Sequence, residues 1–287
     1  MSQDAGSFVE GSWRLRLALP AAMRSSREAL GKFVVEVAEG RVAAPIRRSR
    51  HACTFRAQFA PAEGPTVTLF VKVIEPPERI RRLKQVFRGT PADHVARITA
   101  ELAAVGLSAP AVWLYGRDLK GRRELLVTPR AEGMGPLPTL AALAGAPAVK
   151  RRLLTELGKE IARLHHLGFV HGDLTPFNIF IVCDDPPRFV LLDHERTRRA
   201  FFLGCNRRQL RNLVQLGRFA LPGVSRTDRL RTLSAYVAGV NRRDPRALMR
   251  RINAMLLRRI RRDGGFEEVP RTSAAVAPAV STVQARV

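Results

Sequence analysis

The chain has 287 residues, 46% of them hydrophobic, with a formal net charge of +24 and a pI near 11.6. That length and apolar content suit one large domain or two lobes with a real core. No run of about 18 apolar residues is present to cross a membrane, and a charge this positive argues against a cationic ligand.

The N-terminus, Met-Ser-Gln-Asp followed by Glu10, fits neither a secretory nor a transit peptide. Cys53, Cys183 and Cys205 have no metal-ligand spacing, which predicts buried free thiols in a reducing compartment. Only Lys32, Lys72, Lys84, Lys120, Lys150 and Lys159 are lysines among the 49 basic residues. The guanidinium fork pairs bidentately with phosphate. The arginine excess therefore fits an anionic membrane face, a phosphorylated glycolipid or nucleic acid, although genome base composition also exchanges lysine for arginine. No zinc, RNA-recognition or helix-turn-helix signature supports specific nucleic-acid binding.

Residues 1–40 read as an N-terminal extension. Trp13 to Leu19 alternate as an edge strand would, and 24–39 fit helix or strand equally. Residues 42–74 read as antiparallel strands: a small, basic turn at Arg47 to Cys53, a strand at Thr54 to Phe59, a turn at Pro61 to Pro65, and a strand at Thr66 to Ile74. Lys72 sits in the second strand between Val71 and Val73. A lysine there needs an anionic partner or must snorkel to water. Arg79, Arg81, Arg82, Lys84 and Arg88 form a basic cluster before Thr90-Pro91, a cap-plus-N1 start for a helix from about Ala92 to Val105. Ala111 to Tyr115 and Leu125 to Pro129 read as strands around a turn at 116–123. Glu132-Gly133-Met134-Gly135-Pro136 reads as a linker, which places an N-lobe over 41–131 and a C-lobe over 132–262.

Leu153, Leu154, Leu157, Ile161 and Leu164 give the clearest helical stripe, over 149–167, closed by Gly168. His165 and His166 at its end read as C-terminal dipole partners. Residues 195–262 read as helices with core stripes through Leu210, Leu213 and Leu216, then Leu230, Leu233, Tyr236 and Val237, then Leu248, Ile252, Met255, Leu256 and Ile260. Their other faces are densely basic, as solvated helices or as an anionic-surface footprint. Residues 263–287 are Ala/Val/Pro/Thr/Ser-rich and read as a disordered tail.

Between the helical stripe and these helices lies His171-Gly172-Asp173-Leu174-Thr175-Pro176-Phe177-Asn178, then two apolar runs joined by the turn Cys183 to Arg188, then Asp193. The hairpin brings Asp173, Asn178 and Asp193 to one end of a small sheet. Phosphoryl transfer needs a carboxylate for the proton of the attacking hydroxyl and oxygen ligands for Mg²⁺. His-x-Asp-x₄-Asn, a strand and a second Asp form the kinase catalytic-loop pattern. An ordinary turn with capping Asp and Asn is the bland alternative.

These residues resemble the protein-kinase-like superfamily. With Asp193-His194-Glu195-Arg196-Thr197-Arg198, Arg211-Asn212-Leu213 and Asp228 through Tyr236, they resemble more narrowly the lipopolysaccharide core kinases acting on Kdo or heptose. The resemblance covers about residues 42–262. It implies an α+β two-lobe fold, with a small antiparallel sheet carrying one helix and a mainly helical C-lobe. It implies ATP and Mg²⁺ as cofactors and Asp173 as catalytic base. Asn178 and Asp193 would be the metal ligands, Lys72 the phosphate grip, His171 the support of the loop, and Leu126, Val127 and Thr128 the lining of the adenine pocket. The implied enzyme phosphorylates an inner-core sugar in the cytoplasm, peripheral on the inner membrane, with Arg196, Arg198 and Arg199 available to the anionic glycolipid. A soluble kinase of another small molecule or protein, and a non-catalytic pseudokinase on anionic surfaces, are the competing readings.

Three departures stand out. Gly172 replaces the arginine that meets a phosphorylated activation loop in regulated kinases. His194-Glu195 replaces Phe-Gly. The helical glutamate expected to pair with Lys72 is missing near His94-Val95, leaving Asp93 and Glu101 as substitutes. A glycine-rich phosphate loop is also absent.

Overall fold

The computed structural model describes residues 7–75, 90–199, 205–240 and 244–268. The basic cluster at 79–88, Arg242, Arg243 and the tail from 269 onward lie outside the described residues. The chain divides into two compact units, Met1–Ala131 and Glu132–Val287.

The first unit is built on a seven-stranded sheet, in the order β1-β2-β6-β7-β5-β4-β3. Its strands are β1 Ser7–Glu10, β2 Trp13–Leu17, β3 Pro45–Arg48, β4 Ala52–Phe59, β5 Val67–Ile74, β6 Leu114–Asp118 and β7 Glu124–Pro129. All neighbours are antiparallel. Period-2 alternation sorts the side chains onto two faces. Trp13, Leu15, Leu69, Val71, Leu125 and Val127 are fully buried in one cluster with Leu30 and Val34 of α1, Arg27–Ala38. The opposite face carries α2, Pro91–Ala104, through Val95 packed with Leu126, Val112 and Tyr115. The expected cap at Thr90 forms, as a capping box: Thr90 accepts from the Asp93 amide, and Asp93 returns the bond to the Thr90 amide.

Residues 7–40 are therefore no appendage. β2 lies between β1 and β6 rather than at an edge, and α1 resolves the ambiguous 24–39 as helix. The reason is burial: Trp13 and Leu15 complete the core that Val71 and Val127 begin. Among the described residues the sheet thus carries two helices where one was expected.

The second unit is mainly helical: α3 Pro136–Ala142, α4 Pro147–His166, α5 Cys205–Gly217, α6 Arg226–Gly239 and α7 Pro245–Arg262. Strand β8 (Phe169–Val170) pairs with β11 (Arg198–Arg199), and β9 (Ile179–Val182) with β10 (Arg188–Leu191). The segment after Asp193 is thus a 3₁₀ turn and a short strand before the helices begin. α4 and α6 cross closely because Gly158 has no side chain; a Cβ there would stand 2.3 Å from the Thr232 carbonyl oxygen. α6 starts at a Ser225/Asp228 capping box, and the buried Asp228 carboxylate also takes Lys150 of α4 at 3.0 Å.

Two expectations about burial change. Leu230, read as core, is 44% exposed. Cys183 is exposed and Cys53 half-buried, so neither is a buried thiol; both flank turns, where few neighbours cover them.

Candidate active site

In the second unit, α4 ends at Leu167 and Gly168, and β8 delivers the chain to His171. His171 is fully buried, and its Nε2 lies 2.8 Å from the Leu192 carbonyl oxygen, which ties the loop to the residue before Asp193. Burial holds the His171 pKa below its ordinary value. An imidazole in this position links the loop to the end of β10.

Gly172 adopts φ +78, and a Cβ there would meet the Arg196 carbonyl oxygen at 2.5 Å. The loop and the segment after Asp193 approach too closely for any side chain, which gives the arginine-to-glycine departure a steric cause. Asp173 follows, half-buried. The Asn178 side-chain amide donates to the Asp173 carbonyl oxygen at 2.9 Å, fixing the chord of the loop. Its Nδ2 is thereby engaged and its Oδ1 remains as a donor atom for a cation.

The hairpin register pairs Ile179 with Leu191, and the Leu192 amide donates to the Asn178 carbonyl oxygen at 2.9 Å. Asn178 and Asp193 therefore flank the same end of β9–β10. Asp193 is exposed at φ 61, the single non-glycine residue with positive φ among those described. An L-residue in that region carries about 1–2 kcal/mol of strain. Here the neighbours over-determine it: Leu192 is held by His171 and Asn178, and His194 is buried with its Nε2 2.8 Å from the Leu191 carbonyl oxygen.

One carboxylate and one amide oxygen form a sparse, hard-oxygen set. Among the described residues no group of three or more His, Cys, Asp or Glu could hold a metal by itself. That set fits Mg²⁺, which keeps waters and takes substrate phosphates alongside one or two protein oxygens.

Lys72, in the first unit, is half-buried on β5. It is opposite Thr54 on β4 and Leu126 on β7, so it shares the α2 face of the sheet with Leu126 and Thr128. Val127 does not share it: alternation buries its side chain fully in the opposite core. Of the substitutes for the missing glutamate, Asp93 is taken up by Thr90 and by Arg16 at 3.2 Å, and Glu101 by Arg97. In the turn that replaces a glycine loop, the Ser49 amide donates to the Ala52 carbonyl oxygen at 2.8 Å.

The triplet after Asp193 is exposed. Arg198 and Arg199 stand opposite Val170 and Phe169, and the Arg199 guanidinium lies 5.3 Å from the Phe169 ring centre. A hollow of the second unit, about 930 Å³, has apolar walls including Leu157, Leu216, Leu233 and Leu256. Asp173, Asn178 and Asp193 are not among its lining, so it is not where their chemistry happens.

The family profile of the lipopolysaccharide kinases (Kdo/WaaP) matches residues 81–236, more than half of the chain and the whole of this loop, hairpin and carboxylate. The chain belongs to the lipopolysaccharide kinase (Kdo/WaaP) family. That family is one of kinases, and kinases draw their phosphoryl group from ATP. No curated protein matches it. Among solved structures, the bifunctional kinase-methyltransferase WbdD is similar at TM-score 0.41 and 18% identity, over 72% of this chain and 48% of that one. WbdD with a bound kinase inhibitor gives TM-score 0.41 and 19% identity, over 76% of this chain and 46% of that one. The chain spans about half the length of these structures.

Two buried groups went unnoticed in the sequence. Glu124 opens β7 and accepts the Ala92 amide at the start of α2 at 3.0 Å. Burial, aided by Asp93, raises its pKa from 4.5 to about 7. His165, read as a dipole partner, is instead 3% exposed between Tyr236 and Asn212, and burial lowers its pKa from 6.5 to about 4. It points inward because it shares a helix face with Ile161 and Ala162; His166, about 100° further round the helix, faces outward.

The linkage signs are opposite. Between pH 4.5 and 7 the folded state binds more protons at Glu124 than the unfolded chain, so this group's contribution to stability falls as pH rises. Between pH 4 and 6.5 the unfolded chain binds more protons at His165, so that contribution rises with pH. Each shift is worth at most about 3 kcal/mol. Glu124→Gln is expected to raise the melting temperature relative to wild type at pH 8 and to change it little at pH 5. An equal effect at both values would refute the assignment.

Proposed function

We propose that this kinase transfers the γ-phosphoryl group of ATP to a sugar hydroxyl, of Kdo or heptose, in the inner core of a lipopolysaccharide at the cytoplasmic face of the membrane. The observation that carries the reading is the Asp173–Asn178–Asp193 arrangement, inside a stretch matched by a family of lipopolysaccharide kinases.

In this reading Asp173 orients the acceptor hydroxyl and takes its proton as the phosphoryl group arrives, while Asn178 and Asp193 hold magnesium through oxygen. When bound, magnesium neutralises charge on the phosphates. Lys72 grips the α- and β-phosphates. Leu126 and Thr128, on its face of the sheet, lie against the nucleotide.

Peripheral membrane association is supported by the exposed arginines of α7. Arg246, Arg250, Arg251, Arg258, Arg261 and Arg262 are exposed along the same helix as Leu257, an apolar side chain 52% exposed. Each basic residue near an anionic surface contributes about 1 kcal/mol at physiological salt. No helix among the described residues is long and apolar enough to cross a membrane.

The test is ATP consumption with Mg²⁺ against a panel of inner-core glycolipids bearing Kdo, heptose or neither. Turnover is expected only with acceptors carrying one of these sugars, and equal turnover with an unrelated soluble alcohol would favour a soluble small-molecule kinase. Co-sedimentation with vesicles containing phosphatidylglycerol is expected at low salt and is lost as salt rises. A protein that stays in the supernatant at low salt is not a peripheral membrane kinase.

A further inference from the structure

Behind the catalytic loop, three helices of the second unit supply one connected set of polar side chains in an otherwise apolar interior. Asn212 on α5 is 1% exposed. Its Oδ1 accepts the His171 amide at 3.0 Å, and its Nδ2 donates to Gln215 Oε1 at 3.3 Å. The Gln215 amide is oriented on both sides. Its Oε1 also accepts the Leu174 amide at 3.3 Å, while its Nε2 donates to the Gly172 carbonyl oxygen at 3.2 Å and to Asp173 Oδ1 at 3.3 Å.

The chain continues away from the site. Asn212 Oδ1 can only accept, so His165 Nε2, 3.2 Å away, must carry a hydrogen. A neutral imidazole protonated there has a bare Nδ1, which accepts from the Tyr236 hydroxyl at 3.0 Å. Every link then donates in one direction: Tyr236 to His165, His165 to Asn212, Asn212 to Gln215, Gln215 to Asp173. Aligned hydrogen bonds in a low-dielectric interior polarise one another, and the last donor of the chain meets a carboxylate.

We propose that Gln215 is a positioning residue for the catalytic carboxylate. It ties down Oδ1 of Asp173, leaves Oδ2 as the atom that takes the acceptor's proton, and is itself aimed by the one-way donor chain from Tyr236. This rests on Asp173 being the base. Gln215 touches neither nucleotide nor acceptor; it acts through Asp173, whose carboxylate would otherwise rotate about its terminal bond, since Asn178 holds only the backbone of that residue.

The test uses the full chain with Mg-ATP and an inner-core lipopolysaccharide bearing Kdo and heptose. Gln215→Glu keeps the acceptor for Leu174 and Asn212 but turns an oxygen toward Gly172 and Asp173, where a donor is needed. Gln215→Met keeps the length and removes every hydrogen bond. Both are expected to lower kcat about 10- to 100-fold with KM for ATP within about twofold, and Tyr236→Phe to lower it by a smaller factor in the same pattern. A merely structural residue would instead lower the folded fraction and leave kcat per folded molecule unchanged. If Asp173→Asn abolishes turnover while folded Gln215→Glu and Gln215→Met keep wild-type kcat, the positioning role is wrong and the base assignment stands. If Asp173→Asn turns over normally, the base assignment itself has failed.

Discussion

Asp173→Asn is expected to lower kcat by about 10²–10⁴-fold, the usual worth of general-base assistance, while calorimetric binding of Mg-ATP stays within about threefold of wild type. The substitution is nearly isosteric. The Asn178 amide bonds the backbone carbonyl of residue 173, which is unchanged, and Gln215 can still donate to the remaining side-chain oxygen. Only the capacity to take a proton is lost. The proposed metal ligands Asn178 and Asp193 remain in place at the end of the hairpin. Wild-type turnover in this variant would remove Asp173 from the chemistry, and with it the proposed mechanism.

Asn212→Leu is expected to destabilise the second unit more than any single surface change. Asn212 lies 41 residues from His171 and 47 from His165, and its Oδ1 serves both. A leucine of similar volume leaves the His171 amide and the His165 Nε2–H buried without acceptors. Each buried orphan costs about 1–3 kcal/mol, so the loss sums to about 2–6 kcal/mol, a large share of a domain's total stability of about 5–15 kcal/mol. Asn212→Asp keeps both acceptor bonds and breaks only the donation to Gln215, so its loss should be smaller. Denaturant melts of the two variants check this. A change below about 1 kcal/mol in Asn212→Leu would show that water reaches these groups and that the interior is not sealed.

The chemistry-bearing stretch could be read from the chain because it is local. Asp173 and Asn178 are five residues apart, and a hairpin with a polar turn returns Asp193 to the same end; spacing and alternation suffice to place all three. Helix faces were equally readable where apolar residues recur with the right period, as in α4. Errors arose where the pattern left two faces open. Trp13 and Leu15 alternate as an edge strand would, and only pairing with both β1 and β6 shows that β2 is interior. Val127 lies between Leu126 and Thr128 along β7, and only alternation within the paired sheet turns its side chain into the core that holds Val71.

Sequence by itself determined the family, the catalytic loop, the hairpin and the strongly cationic character of the helices, since each rests on residues close together or on composition. Tertiary structure alone decided what stands behind the loop. Tyr236, His165, Asn212 and Gln215 come from three helices, and no periodicity tells which polar side chain on one helix meets which on another. The α4–α6 crossing at Gly158, close enough to exclude even a methyl group, sets the register that puts Tyr236 beside His165, and Asn212 and Gln215 of α5 carry the chain on to Asp173.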